Sequence, residues 1–66
     1  MSGTLVGFVV PGDEGSITTG KKVNVLPRKG EEVVLNGRRH TVRAVIHRYD
    51  VLEPAVEIHL TYGQPV

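Results

Sequence analysis

The chain has 66 residues, which is enough for one domain and too few for two. It contains no cysteine, so disulfides and thiolate metal sites are excluded as ways of stabilising a small core. Eight Lys and Arg residues against seven Asp and Glu give a net charge of +1, far less basic than a dedicated nucleic-acid-binding protein. A domain this small buries only about 60% of its unfolded surface, so a homo-oligomer stays open as a further way of burying apolar groups.

The first predicted strand is TLVGFVV, residues 4–10, which is rich in valine and ends before Pro11. Its apolar part is too short to span a membrane and follows no basic segment, so the sequence predicts neither a signal peptide nor a membrane anchor. We therefore expect a cytoplasmic protein with no membrane partner.

Residues 11–22, PGDEGSITTGKK, are predicted to form a long first loop because Gly, Ser and Thr predominate. GSITTGK, residues 15–21, matches most of a phosphate-binding loop. Lys22 stands where that motif needs a Ser or Thr to hold magnesium, and the residues that follow favour a strand instead of a helix. The sequence therefore favours a polar loop over a nucleotide site, and we predict no cofactor.

Four further extended segments follow, separated by turn residues: VNVL at 23–26, EEVVL at 31–35, RHTVRAVIHRY at 39–49 and AVEIHLTY at 55–62. Asn36-Gly37 is the dipeptide typical of a type I′ hairpin turn. A two-residue loop would pair Leu35 with Arg38, whereas a four-residue loop would pair Val33 with Val42. The four-residue loop offers better cross-strand partners, but turn statistics favour the two-residue loop.

These segments predict an all-β protein whose residues 1–66 form a single β-barrel domain. Five strands, with a long first loop and an Asn-Gly hairpin, resemble a small SH3-like barrel, which is therefore the expected architecture. The OB-fold is the nearest competitor, but it usually has longer strands and often a helix before its fourth strand. No stretch of this sequence shows a sustained helical period.

Alternation of apolar and polar residues assigns the two faces of the last two long strands. A register that gives every inward residue an apolar partner is expected, because a slip of one residue would expose the whole apolar set. The predicted register pairs Ile46 with Ile58, Ala44 with Leu60 and Val42 with Tyr62.

The same register places His47, Glu57 and His59 together on the outer face. Two histidines and a carboxylate bind zinc or iron when all three converge, but flat sheet faces rarely bring them together. We therefore predict no metal site. Ser2 and Ser16 lie in a terminus or a loop, away from any base, so we predict no catalytic residue and no enzyme activity.

The candidate binding surface is the outer face of the central hairpin, where basic residues alternate with Val45 and Tyr49. A mixed basic and apolar face without catalytic groups is typical of a protein-docking surface. The alternative is a nucleic-acid-binding barrel, in which the same arginines contact phosphates and Tyr49 stacks on a base. The predicted partner-binding residues are Arg38, Arg39, Arg43, Val45, His47, Tyr49 and His59.

Residues 27–62 resemble small phage-encoded SH3-like β-barrel proteins. Those proteins often carry Gly-x-x-Val, a Gly-containing hairpin, a Tyr/His-x-Val-x-x-Val strand and a closing alternating strand. The matching positions here are Gly30, Val33, Gly37, His40, Val42, Val45 and Val56 to Leu60. The resemblance implies a small phage accessory protein that works in the host cytoplasm by binding a host or virion component.

Overall fold

The structure, a computed structural model, describes residues 3–12 and 15–66, which form strands and their connections without a helix. One sheet has the strand order β2-β1-β5-β4-β3, with β6 pairing β4. It curls into a half barrel, which confirms the all-β class and is consistent with a small SH3-like barrel. The strands are β1 (Thr4–Gly12), β2 (Gly15–Val23), β3 (Glu32–Leu35), β4 (Arg38–His47), β5 (Val56–Leu60) and β6 (Gln64–Pro65).

The core consists of alternate side chains on the three central strands of this sheet. Successive residues of a strand point to opposite faces, so every second apolar residue reaches the core. Full burial of an aliphatic side chain contributes about 1.5–3 kcal/mol. The buried residues are Val6 and Phe8 of β1, Val42 of β4, and Val56, Ile58 and Leu60 of β5. β1 and β5 run parallel, with Val6 opposite Val56.

Most of the predicted long first loop is a strand. β2 pairs antiparallel with β1 along its whole length, because the apolar β1 leaves a row of backbone groups that need partners. Ile17, Thr18 and Thr19 are β-branched residues that favour this extended backbone. β2 is polar and mostly exposed at the sheet edge, which is why its composition resembles a loop. Residues 13–14 of the predicted loop lie outside the described residues.

The predicted strand at 23–26 is wrong beyond Val23, which ends β2. The next residues form a linker to β3, in which the Val25 side chain is 82% exposed and Leu26 packs against the core. Pro27 has no backbone N–H and restricts the residue before it, so a regular ladder cannot continue here.

The Asn36-Gly37 hairpin has the predicted two-residue loop. Leu35 lies opposite Arg38, and both loop residues have positive φ, 52° for Asn36 and 76° for Gly37. A type I′ turn requires this conformation at both positions. The four-residue alternative is therefore excluded.

The predicted register between β4 and β5 is wrong, because a bulge at Arg43 inserts one extra residue into β4. A bulge shifts the alternation of all residues that follow it. Apolar Val45 then replaces Ala44 on the core side, and Ile46 is turned outward and 39% exposed. The observed pairs are Val42 with Leu60, Ala44 with His59, Val45 with Ile58, Ile46 with Glu57 and His47 with Val56.

The predicted fifth strand ends at Leu60 instead of residue 62, and the chain then returns to β4 as β6. His40, which is only 4% exposed, stabilises the connection: its Nδ1–H donates to the carbonyl oxygen of Thr61 at 2.9 Å. Gly63 packs directly over this ring, since an added Cβ would lie 2.7 Å from Cε1 of His40.

Candidate partner-binding cleft

The two edges of β4 are covered to different extents. β5 and β6 pair with most of one edge of β4. On the other edge, β3 is only four residues long and ends opposite Thr41. Two further hydrogen bonds join Val42 to Gly30 and Glu31. Beyond Val42, no strand of the described chain pairs with residues 43–47 on the side away from β5. This leaves an open strand edge within the sheet.

A cleft of about 720 Å³ lies between this edge and the linker segment 25–29. Its volume is within the range of ligand-binding clefts, roughly 300–1,000 Å³. Apolar side chains line much of it, and three exposed cationic side chains stand around them. None of the described residues that line the cleft carries a carboxylate. The lining residues are Val25, Leu26, Pro27, Arg28, Lys29, Arg43, Ala44, Val45 and His47.

A turn holds the linker in place beside β4. The Glu31 N–H donates to the Arg28 carbonyl at 3.0 Å, and the Arg28 N–H donates to Oε1 of Glu31 at 2.7 Å. Gly30, with φ of 93°, reverses the chain at no steric cost. Its N–H then donates to the Val42 carbonyl at 2.9 Å, so the chain rejoins the sheet where the cleft ends.

Backbone groups of β4 face the cleft. Hydrogen bonding alternates along an antiparallel pair, so every second residue directs its N–H and C=O toward a given neighbour. Arg48 directs its N–H to the Ala55 carbonyl at 2.6 Å, which sets the alternation for the residues before it. Ile46 therefore bonds with β5, whereas Val45 and His47 direct their N–H and C=O groups away from β5 and toward the cleft.

An aromatic pair extends the end of the cleft. The rings of His47 and Tyr49 are stacked, with centroids 6.5 Å apart and planes inclined by 15°. The Tyr49 side chain is 94% exposed, and Leu52 in the same loop is equally exposed. Large apolar side chains this exposed, next to a cleft, add to a surface suited to contact with a partner.

The structure brings together part of the predicted binding surface. Arg43, Val45 and His47 line the cleft, and Tyr49 stacks on His47. Their role in binding remains a prediction. Val45 was expected on the outer face, but the bulge at Arg43 places it against the core side instead.

The other three predicted residues lie elsewhere. Arg38 and Arg39 are at the opposite end of β4, where Nη1 of Arg38 donates to the Gly63 carbonyl at 3.3 Å. Nε of Arg39 lies 3.9 Å from a carboxylate oxygen of Glu32. His59 pairs with Ala44 on the outer face, away from the cleft. The seven residues therefore do not form one surface.

The outer face holds an ion-pair cluster around Glu57. His59 Nε2 lies 3.0 Å from Oε1 of Glu57, and Nη1 of Arg48 donates to Oε2 of the same carboxylate at 2.7 Å. These hydrogen bonds from His59 and Arg48 lower the pKa of Glu57. His47 lies on the other side of the sheet, so the two histidines do not converge. Within residues 3–12 and 15–66, no three His, Asp or Glu residues are grouped to hold a metal ion.

Comparison of the chain with protein-family models, with curated proteins and with solved structures gives no match in any of the three. In the part of the chain that the structure describes, no helix is long and apolar enough to cross a membrane.

The linker side of the cleft was missed in the sequence. Val25 and Leu26 were assigned to a strand, although Pro27 follows them directly and interrupts any ladder. The useful signal was Pro27 together with Arg28-Lys29-Gly30, since a proline, two cations and a glycine indicate an exposed turn.

Proposed function

We propose that the protein is a non-enzymatic protein-interaction module that binds its partner in the cleft between segment 25–29 and β4. One observation carries the proposal: an open strand edge borders an apolar cleft with cationic side chains around it. Apolar clefts with a few placed polar groups are the usual sites at which proteins bind ligands. Val45 and Leu26 supply the apolar surface, and Arg43 supplies charge.

A protein partner accounts for the cleft better than a nucleic acid does. Nucleic-acid sites combine a basic groove along the backbone with aromatic platforms for the bases. Arg43 offers a basic side chain and Tyr49 offers an aromatic ring, but the net charge of the whole chain is only +1. Arg39, at the far end of β4, lies near Glu32 and so extends no continuous basic track. The resemblance of residues 27–62 to small phage barrels makes a host or virion component the partner we propose.

The proposal is tested by affinity capture from a host-cell lysate with the full chain as bait. We compare the wild type with Lys29→Glu/Arg43→Glu, which reverses charge at the cleft. The matched control is Arg38→Glu/Arg39→Glu, which makes the same charge change at the other end of β4. We expect the cleft variant to lose the captured protein and the control variant to retain it, with and without nuclease.

Two results would contradict the proposal. Equal capture by the cleft variant and the wild type would show that the cleft is not the binding surface. Loss of capture on nuclease treatment would assign the arginines to nucleic acid. Circular dichroism and thermal melting of each variant confirm that a lost partner does not reflect a lost fold.

A further inference from the structure

We infer that the cleft receives an extended acidic peptide segment, which adds as a strand to the open edge of β4. The inference rests on the proposed function and specifies the chemistry of the partner. Strand addition satisfies unpaired backbone groups, and pockets beside the edge select the peptide's side chains.

The backbone of β4 offers the hydrogen bonds for such a strand. Val45 and His47 each direct an N–H and a C=O toward the cleft, which is the pattern that a paired strand recognises. Strands rise about 3.3 Å per residue, so the edge over residues 43–47 is about 13 Å long and suits a peptide segment of four or five residues.

The path of the linker leaves the position beside this edge open. β3 runs alongside β4 as far as Glu32, and the Gly30–Glu31 bonds to Val42 extend this pairing by one step. The chain that precedes Gly30 then turns away from β4 and forms the opposite wall of the cleft. A partner strand would pair with residues 43–47 on the same side of β4 on which β3 pairs with residues 38–41.

The cationic side chains around the cleft favour an acidic peptide over a neutral or basic one. Arg28, Lys29 and Arg43 are exposed around the cleft, and no described lining residue is acidic. The nearest carboxylate of the linker, on Glu31, already accepts the Arg28 N–H. Side chains of an added strand alternate between two faces, so apolar residues would meet Val45 and Leu26 while acidic residues meet the cations.

The outer edge of β2, at the far end of the sheet, lacks these features. Among the described strands, β2 pairs only with β1, and its other edge is free. Lys21 and Lys22 lie on β2, and lysine on an edge strand opposes pairing with other chains. No acidic-peptide binding is expected there, so Lys21→Glu/Lys22→Glu serves as a charge control.

The test uses a fluorescent eight-residue peptide with alternating valine and glutamate, titrated with the full-length chain. Two control peptides are compared with it. In the first, every glutamate is replaced by lysine. In the second, alternate backbone nitrogens are methylated on the side that would hydrogen-bond with β4. We expect binding of the acidic peptide only. Lys29→Glu/Arg43→Glu should abolish it, whereas Lys21→Glu/Lys22→Glu should retain it.

The backbone contribution is isolated with His47→Pro and His47→Ala. Both remove the imidazole, but only proline also removes the N–H that faces the cleft, and it leaves the bonds to β5 intact. We expect His47→Pro to weaken peptide binding about five- to tenfold relative to His47→Ala, as for the loss of one hydrogen bond.

The outcomes separate this inference from the proposed function. Failure of the acidic peptide to bind, equal binding of the methylated peptide, or equal affinity of the two His47 variants would overturn strand addition. If lysate capture still depends on Lys29 and Arg43, the interaction cleft stands. If the His47→Pro chain does not fold, the methylated peptide decides the question with the wild-type protein.

Discussion

Nη1 of Arg48 lies 2.7 Å from Oε2 of Glu57, and this ion pair joins the residue after β4 to the second residue of β5. The other side of the guanidinium holds Asp50 through two hydrogen bonds, 2.8 and 2.7 Å long. One side chain therefore connects β5 with the loop that carries Tyr49. Carboxylates on both sides raise the pKa of Arg48, led by the hydrogen bond to Asp50.

Replacement of Arg48 should loosen this loop. In Arg48→Met the methylene packing is largely kept, while Asp50 and Glu57 both lose the guanidinium and Glu57 keeps only His59. We therefore expect a lower melting temperature and faster amide exchange at residues 49–53. Arg39→Met is the control, because its contact with Glu32 is long and exposed and such pairs contribute little. Equal melting temperatures for the two variants would contradict the assignment.

Acid should destabilise the fold through Glu57. Its pKa is lowered in the folded state by the hydrogen bond from His59 and then by Arg48, so the unfolded chain takes up the proton more readily. This contribution to stability is complete above about pH 4.3, the ordinary Glu value, and is lost as the pH falls through the lower folded pKa. Urea unfolding between about pH 6 and pH 2 should show a smaller acid loss in Glu57→Gln than in the wild type.

A side chain at Gly63 should destabilise the connection between β5 and β6. A Cβ there would lie 2.7 Å from the Cβ of Arg38 and from Cε1 of His40, closer than real atoms approach. We expect Gly63→Ala to cost about 1–3 kcal/mol in chemical denaturation. Gly20→Ala is the control, since its Cβ would meet only Leu5 at 3.7 Å and should be neutral or slightly stabilising.

The bulge at Arg43 can be tested through its two apolar neighbours. Val45 packs against the core and Ile46 faces outward, which reverses the assignment that strict alternation gives. Val45→Ala should therefore lower the free energy of unfolding by about 1–2 kcal/mol, and Ile46→Ala should lower it by less. A larger loss of stability in Ile46→Ala than in Val45→Ala would instead support the register without a bulge.

The turn at Asn36-Gly37 should accept only residues that tolerate positive φ. Gly37→Val places a β-branched side chain at φ of 76°, and we expect it to cost about 1–2 kcal/mol. Asn36→Gly, at the neighbouring left-handed position, should change stability by much less, because glycine adopts that conformation freely. Thermal melts of the two variants provide the comparison.

The parts of the fold that depend on residues close together in the chain could be predicted from the sequence. Asn36-Gly37 specifies its own turn and thereby the register of β3 and β4, whatever the remainder of the chain does. β2 was missed because its pairing comes from β1 while its own residues are polar and exposed. When a strand forms mainly because a neighbouring strand needs hydrogen-bond partners, its own sequence shows little of the apolar alternation that predicts a strand.

The site was predicted in part for a similar reason. Arg43 and His47 stood out as basic residues on one long strand, and both line the cleft. His59 was added by an alternation that the bulge at Arg43 interrupts. No periodic pattern indicates a bulge here, since a bulge interrupts the alternation on which such a pattern depends. The linker contributes through its path beside β4, which depends on tertiary contacts.

The parallel pairing of β1 with β5 has a consequence for how the barrel assembles. The antiparallel pairs of the described strands lie either within β1–β2 or within β3–β6, whereas Val6 meets Val56 near the opposite end of the chain. Closing so long a loop is slow because its entropy must be lost before any contact forms. The hairpin of β1 and β2 is thus one local unit, and β3 to β6, in which β4 pairs with the other three strands, is a second one joined to it by the linker. Two fragments divided after Asn24, between β2 and segment 25–29, should reassemble the half barrel when they are mixed, with the cleft next to the cut.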